Sequence, residues 1–294
     1  MKAILSPKEL AEALGLSESS LKRWADDGLI HVARTAGGHR RIAIAEAIRF
    51  IRETGSTLVR PDALGLDDVP SAALTLTRGS ESELLFEHLR AGDAQKSRGL
   101  LLSLYLAGRS VAEICDGPLR EAMSRLGELW RHDRAGIYEE HRATDICLHA
   151  LGQLRMLLPD SHAGPVALGA APSGDPSLMP SLAAGLVLMS EGFKSTNLGA
   201  NTPADSLLVA AQRHHPALVW LSISYVTDRE QMRQELEQLA RGLQDTGARL
   251  VVGGSACREI PTPAGSHVFV GSSMCELAAY ARGLAATTPP GESA

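Results

Sequence analysis

The chain is poor in aromatic residues, with three Trp, four Tyr and four Phe in 294 residues, or 4%. Its cores must therefore be mostly aliphatic. Charge is also sparse: 21% of residues are charged and 44% are hydrophobic, which excludes a disordered, collagenous or coiled-coil chain. Long apolar runs are missing. The longest nearly uncharged stretch, around Leu178 to Met189, holds about 12 residues, contains Pro180 and Ser181, and is too short to span a bilayer. Met1 to Pro7 is too poor in apolar residues for a signal peptide. The four cysteines, Cys115, Cys147, Cys257 and Cys275, form no CxxC pair and read as thiols of a reducing compartment. A soluble cytoplasmic protein with no membrane association is expected. Excess positive charge is absent too. The net charge of -5 and pI of 6.1 exclude a uniformly basic nucleic-acid coat protein. No HExxH, Walker loop, GxSxG elbow or supported carboxylate pair is present, so no enzyme is expected. His214-His215 reads as an exposed loop rather than a metal pair.

What is present falls into segments. Residues 1–56 alternate short helical signals with turns, and 57–79 mix Pro, Gly, Asp, Ser and Thr as a linker would. Across 80–160 apolar residues recur at helical spacing, as in Leu100, Leu101, Leu104, Leu106 and in Leu119, Met123, Leu126, Trp130. That pattern predicts a four-helix bundle. Across 161–286 short β-rich runs (166–168, 218–221, 250–252, 268–270) alternate with helical stretches. They predict an α/β flavodoxin-like (Rossmann-like) parallel sheet. Residues 287–294 read as a tail.

The first segment carries a helix-turn-helix pattern. Ser6-Pro7 starts one helix, Gly15 breaks it, Ser17 caps a second, and Gly28 ends that one. Leu21 and Trp24 turn inward. Glu18, Ser19, Lys22 and Arg23 face outward, with Ser20 near the edge. Such side chains on a recognition helix reach base edges and phosphates. Arg34, Thr35, Gly37, Gly38, His39, Arg40 and Arg41 then form a two-stranded wing turned by Gly-Gly, its basic residues placed for phosphates. Asp26-Asp27 reads as solvated. Residues 1–60 hold 10 Lys+Arg against 7 Asp+Glu, and the remainder 19 against 27. A small basic reader thus sits on an acidic body.

SPKELAEALGLSESSLKRWADDGLI followed by TAGGHRRI resembles the MerR family of winged-helix transcription regulators. The resemblance implies dimers on inverted-repeat operators. The long dimerising helix of many MerR proteins is not evident, so a homo-oligomer (dimer or tetramer) must assemble through other parts.

Trp130 followed after nine residues by Glu140-His141, in a bundle before an α/β segment, resembles adenosylcobalamin photoreceptor regulators of the CarH type. In that family these residues cover the upper face of the corrin. The sheet segment is similar to a cobalamin-binding domain, with landmarks at Leu198 to Pro203, at Ser222-Ile223-Ser224 and at Gly253-Gly254. Small residues at strand ends would let a ligand tail approach the backbone. The family's Asp-x-His-x-x-Gly loop is altered. Asp175 stands in place, but Ser177 replaces the cobalt-ligating His, and Pro180 replaces the Gly that leaves room for the displaced base. A hydroxyl does not substitute for an imidazole nitrogen ligand. The resemblance thus allows two readings: adenosylcobalamin held without a protein ligand, its own base kept on cobalt, or loss of cobalamin, with another molecule such as another tetrapyrrole, or nothing, bound in its place. The resemblance implies a His directly after the lid Trp that ligates cobalt once light removes the adenosyl group; here Arg131 follows Trp130, and His132, one place later, would be turned by about 100° on a helix. The expected function is a DNA-binding regulator, in the repressor sense, with an oligomerising module open to corrinoid and light control. The alternatives are a corrinoid carrier of a methyltransferase system and a ligand-free adaptor.

Overall fold

The computed structural model describes residues 2–70, 79–129, 134–159 and 163–287. It divides into two compact units, Met1–Pro159 and Asp160–Ala294.

The first unit opens with a short strand, β1 (Ile4–Leu5), then α1 (Pro7–Leu14) and α2 (Glu18–Asp26). Ser6 and Glu9 cap α1 reciprocally, and Pro7 sits in the first turn, where an N–H has no helical partner anyway. Gly15 closes α1 in the left-handed region at φ 65°, which glycine adopts without steric penalty. Ser17 caps α2 by accepting the Ser20 amide. Strands β2 (Ala33–Arg34) and β3 (Arg40–Ala43) form the antiparallel wing, and β1 pairs with the other side of β3. α3 (Ile44–Thr54) turns Ile44, Ala47, Ile48 and Ile51 into the core with Leu10, Leu21 and Ile42.

The stretch 57–79, expected as a linker, carries packed structure as far as Pro70. A 3-10 turn, Pro61–Leu64, lies on α1 and buries Leu64, with Leu66 beside it in the core. Pro61 and Gly65 start and end this turn, so residues that read as loop punctuation shape a short helix. Residues 71–78 lie outside the described part.

The bundle is α4 (Glu81–Ala91), α5 (Ala94–Leu106), α6 (Val111–Ile114), α7 (Arg120–Leu129) and α8 (Arg134–Leu157). A π-helical turn, Cys115–Leu119, joins α6 to α7 and contains Pro118. The wider turn does without the N–H that proline lacks. Leu100, Leu101, Leu104, Leu119 and Leu126 are buried, as their spacing predicts. The four cysteines form no disulfide, and burial pushes the Cys147 thiol up to about 12.

In the second unit five parallel strands take the order β5-β4-β6-β7-β8. They are β4 (Val166–Ala170), β5 (Lys194–Asn197), β6 (Leu218–Ser222), β7 (Arg249–Gly253) and β8 (Val268–Val270). Helices α9 (Leu178–Ser190), α10 (Ala204–His214), α11 (Arg229–Gln244) and α12 (Met274–Thr287) complete it. α10 and α11 bury Leu207, Leu236, Leu239 and Leu243 against Val219, Leu221, Leu250 and Val252. α9 packs across β4, β5 and β6 and meets α12. This is the flavodoxin-like order, and the chain reverses direction between β4 and β6. There an open parallel sheet has its ligand crevice. Among the described residues no helix is long and apolar enough to cross a membrane.

Candidate nucleic-acid interface and ligand crevice

On α2, Glu18, Ser19, Lys22 and Arg23 are exposed and Ser20 is half-buried, as the pattern predicts, while Ser17 is occupied as the cap. Lys22 pairs with Glu18 one turn earlier at 2.9 Å, and that bond holds the Glu18 carboxyl below its usual range. Trp24 turns inward onto Phe50, ring centroids 5.2 Å apart.

The wing turn runs through Thr35, Gly37 and Gly38. The Thr35 hydroxyl accepts the His39 amide, and Gly38 takes φ 77°. Arg23, Arg34 and Arg41 are exposed and make no ion pair among the described residues. His39 is exposed beside them. Arg40 differs from the expectation. Its guanidinium turns back to α2, donating to Asp26 Oδ1 at 2.5 Å and to the Lys22 carbonyl at 2.9 Å. The side chains of a strand alternate faces, so Arg40 is directed inward where Arg41 is directed outward. Asp26 is therefore a partner of the wing and not merely solvated.

Behind the reader, Glu46 accepts the His31 amide at 2.7 Å and two bonds from Arg49. Burial would raise its carboxyl, but those bonds and the Arg49 charge win and lower it. Arg52 on α3 reaches the bundle. It donates to the carbonyls of Tyr105 and Arg109 and lies 3.8 Å from the centroid of the Tyr105 ring. Arg109 in turn pairs with buried Glu81 at 2.7 Å.

On α8 Glu140 is half-buried and accepts the Thr144 hydroxyl at 2.9 Å. His141 is exposed and its Nδ1 donates to the Ile137 carbonyl at 2.8 Å. Ile137 and Tyr138 beside it are exposed as well. Trp130 and His132 lie outside the described residues.

At the sheet's reversal point Asp175 is fully buried. One carboxylate oxygen accepts the Ser177 amide at 2.9 Å; the other accepts those of Ser224 at 2.6 Å and Tyr225 at 3.0 Å. It thereby ties the loop after β4 to the loop after β6. Asn201, at φ 52°, fastens the third loop: its side chain accepts the Gly174 amide and its own amide bonds the Asp175 carbonyl. The sequence pattern marked Asn201 only as part of a landmark; its tolerance of the left-handed region was the available signal. Ser177 is half-buried at the start of α9, and Pro180 occupies the first helical turn.

Ser222 is buried at the end of β6, and Ser224 is half-buried beyond it. Gly253 and Gly254 have a reason within the chain. A Cβ on Gly254 would come within 2.2 Å of the Ile223 carbonyl oxygen, and Gly254 holds φ 105°. These small residues let one loop of the chain approach another. The loop 175–180 offers no nitrogen ligand, and its carboxylate already has three amide partners. It does not fit cobalt ligation from below.

Residues 6–42 match the family model described as the MerR family regulatory protein, and residues 82–155 match that of the B12 binding domain. The chain is 26% identical over 258 residues to the HTH-type transcriptional repressor CarA of Myxococcus xanthus, covering 86% of this chain and 87% of the relative. It is similar in fold to the monomethylamine corrinoid protein of Methanosarcina barkeri, with a TM-score of 0.53 at 18% identity, over 68% of this chain and 96% of that one.

Proposed function

We infer that this chain, a MerR-type DNA-binding regulator with a B12-binding domain, represses transcription by docking its winged head on an operator as a homo-oligomer. The observation that carries this reading is the set of three exposed arginines, Arg23, Arg34 and Arg41, which make no ion pair among the described residues and are spread over α2 and both arms of the wing. Exposed guanidiniums on one small surface are suited to phosphates on both sides of a groove. Ser19 and Lys22 on α2 are the residues assigned to base edges. The similarity to a curated repressor supports the sign of regulation. The reading places the protein in the cytoplasm and gives it no catalytic step.

The bundle and the sheet unit form the assembly and sensing part. Assembly raises DNA affinity because linked heads act at high effective concentration. The exposure of Ile137, Tyr138 and His141 on α8 supports a lid role for the Glu140-His141 pair. Because loop 175–180 lacks a cobalt ligand, the ligand of this reading is a corrinoid or related tetrapyrrole that keeps its own axial base. A methyl carrier is disfavoured for the same reason, since it needs controlled ligation from the protein.

An electrophoretic shift assay with the chain's own promoter tests the function. A shift that weakens steeply with salt is expected. Absence of any shift down to low ionic strength overturns the reading, because phosphate contacts are strongest there.

A further inference from the structure

The face of the sheet toward α9 holds one large side chain at the reversal point. Trp220, in the middle of β6, is 1% exposed. Its register partner on β4 is Gly169. A Cβ on Gly169 would come within 2.0 Å of the indole, and one on Gly185 of α9 within 3.2 Å. Two glycines on two elements thus form the socket of this ring. The indole N–H donates to the Ser181 hydroxyl at 3.1 Å. That hydroxyl donates to Asn197 Oδ1 at 3.0 Å, which also accepts the Gly199 amide at 3.1 Å. The slot is filled and its polar groups are paired.

Ser181 lies four residues after Ser177 on the same helix, about 6 Å further along it at 1.5 Å per residue. A ligand tail leaving a centre above Ser177 and running down between α9 and the sheet meets the indole within about that distance. Indole and benzimidazole share one fused six-five ring skeleton and differ by a nitrogen for a carbon.

We propose that Trp220 is the residue that decides how a corrinoid meets this unit. The chain supplies its own bicyclic ring where an extended benzimidazole tail would lie. Only a corrinoid whose tail stays folded on its own cobalt, or which has no tail, is compatible with the unit. This goes beyond the regulator reading and does not depend on DNA binding.

The test uses the full chain with cobalamin and with cobinamide, which lacks the nucleotide tail. The S177H/P180G double variant restores a nitrogen ligand and removes the proline while keeping Trp220. It is expected to retain cobinamide through gel filtration and to bind cobalamin with its base displaced about tenfold more weakly or worse, read from the corrinoid absorbance spectrum. Adding W220A is expected to bring cobalamin up to the cobinamide level. Base-displaced cobalamin bound by the double variant as tightly as cobinamide overturns the proposal. So does a folded triple variant that gains no cobalamin. If W220A prevents folding, the double variant decides alone: cobinamide bound without base-displaced cobalamin supports the proposal, and both or neither overturns it. A promoter shift measured on the same samples scores the regulator reading separately.

Discussion

Arg40 and Arg41 are consecutive on one strand and have opposite roles. Arg40 holds the wing to the end of α2 through Asp26 and the Lys22 carbonyl, while Arg41 faces out with no ion pair among the described residues. Arg41→Ala should weaken promoter binding across sequences and reduce the salt slope by about 1, with the melting curve unchanged. Arg40→Ala should instead cost the head about 1 kcal/mol of stability, read by denaturant unfolding, because a partly buried charge-assisted bond is lost. Equal effects of the two on the salt slope would refute the division. A count of basic residues cannot separate them; strand alternation can, once the strand bounds are known. Asp175 was visible in the sequence as part of a ligand loop, but its three amide partners come from positions as distant as Ser224 and Tyr225. Only the parallel topology brings those together. Asp175→Ala strands three amides and should destabilise the second unit by about 3 kcal/mol; Asn, which keeps one acceptor oxygen, should recover part of that. Denaturant melts of the two variants check it.

At the scale of elements, helix α1 shows a titratable start. The Lys2 ammonium, with the Ser6 amide and hydroxyl, holds the Glu9 carboxyl down at about 2 from 4.5. A carboxyl lowered on folding adds stability above its unfolded value and loses it as pH falls through the folded one. The head should therefore lose stability between about pH 4.5 and 2, and Glu9→Gln should flatten that part of the curve, as circular dichroism would record. The α1 cap, the α2 cap and most sheet strands were legible because Ser-Pro, Gly and β-branched runs carry local signals. β5 was not legible from composition. It is the polar edge strand Lys194–Asn197, with alternate residues facing solvent, and an edge needs few apolar residues. The packed turn at Pro61–Leu64 was hidden for a different reason: its burial depends on α1, far away in sequence. Arg52 joins α3 to the α5 end through the Tyr105 and Arg109 carbonyls. Arg52→Ala is expected to loosen the head from the bundle. The first unit should then become more sensitive to limited proteolysis after residue 54, while isolated phosphate contacts of the wing remain.

For the whole molecule, the charge count divides as the structure does at its reading end, with the basic excess in residues 1–60 and the acidic excess beyond. The bundle rhythm and the strand-helix alternation announced two kinds of packing, and both are present. The sequence did not reveal that an indole fills the space between α9 and the sheet, because Trp220 and its two glycine neighbours lie on three different elements. That arrangement has an optical consequence. Trp220 is the second unit's sole tryptophan, buried against two glycines with its N–H bonded to Ser181, whereas Trp24 is half-buried in the DNA-reading head. With Trp130 replaced by Phe, the two remaining indoles should fluoresce at different wavelengths, the buried one further to the blue. A single chain therefore reports, without any attached dye, which of its parts a given solvent, duplex or tetrapyrrole disturbs.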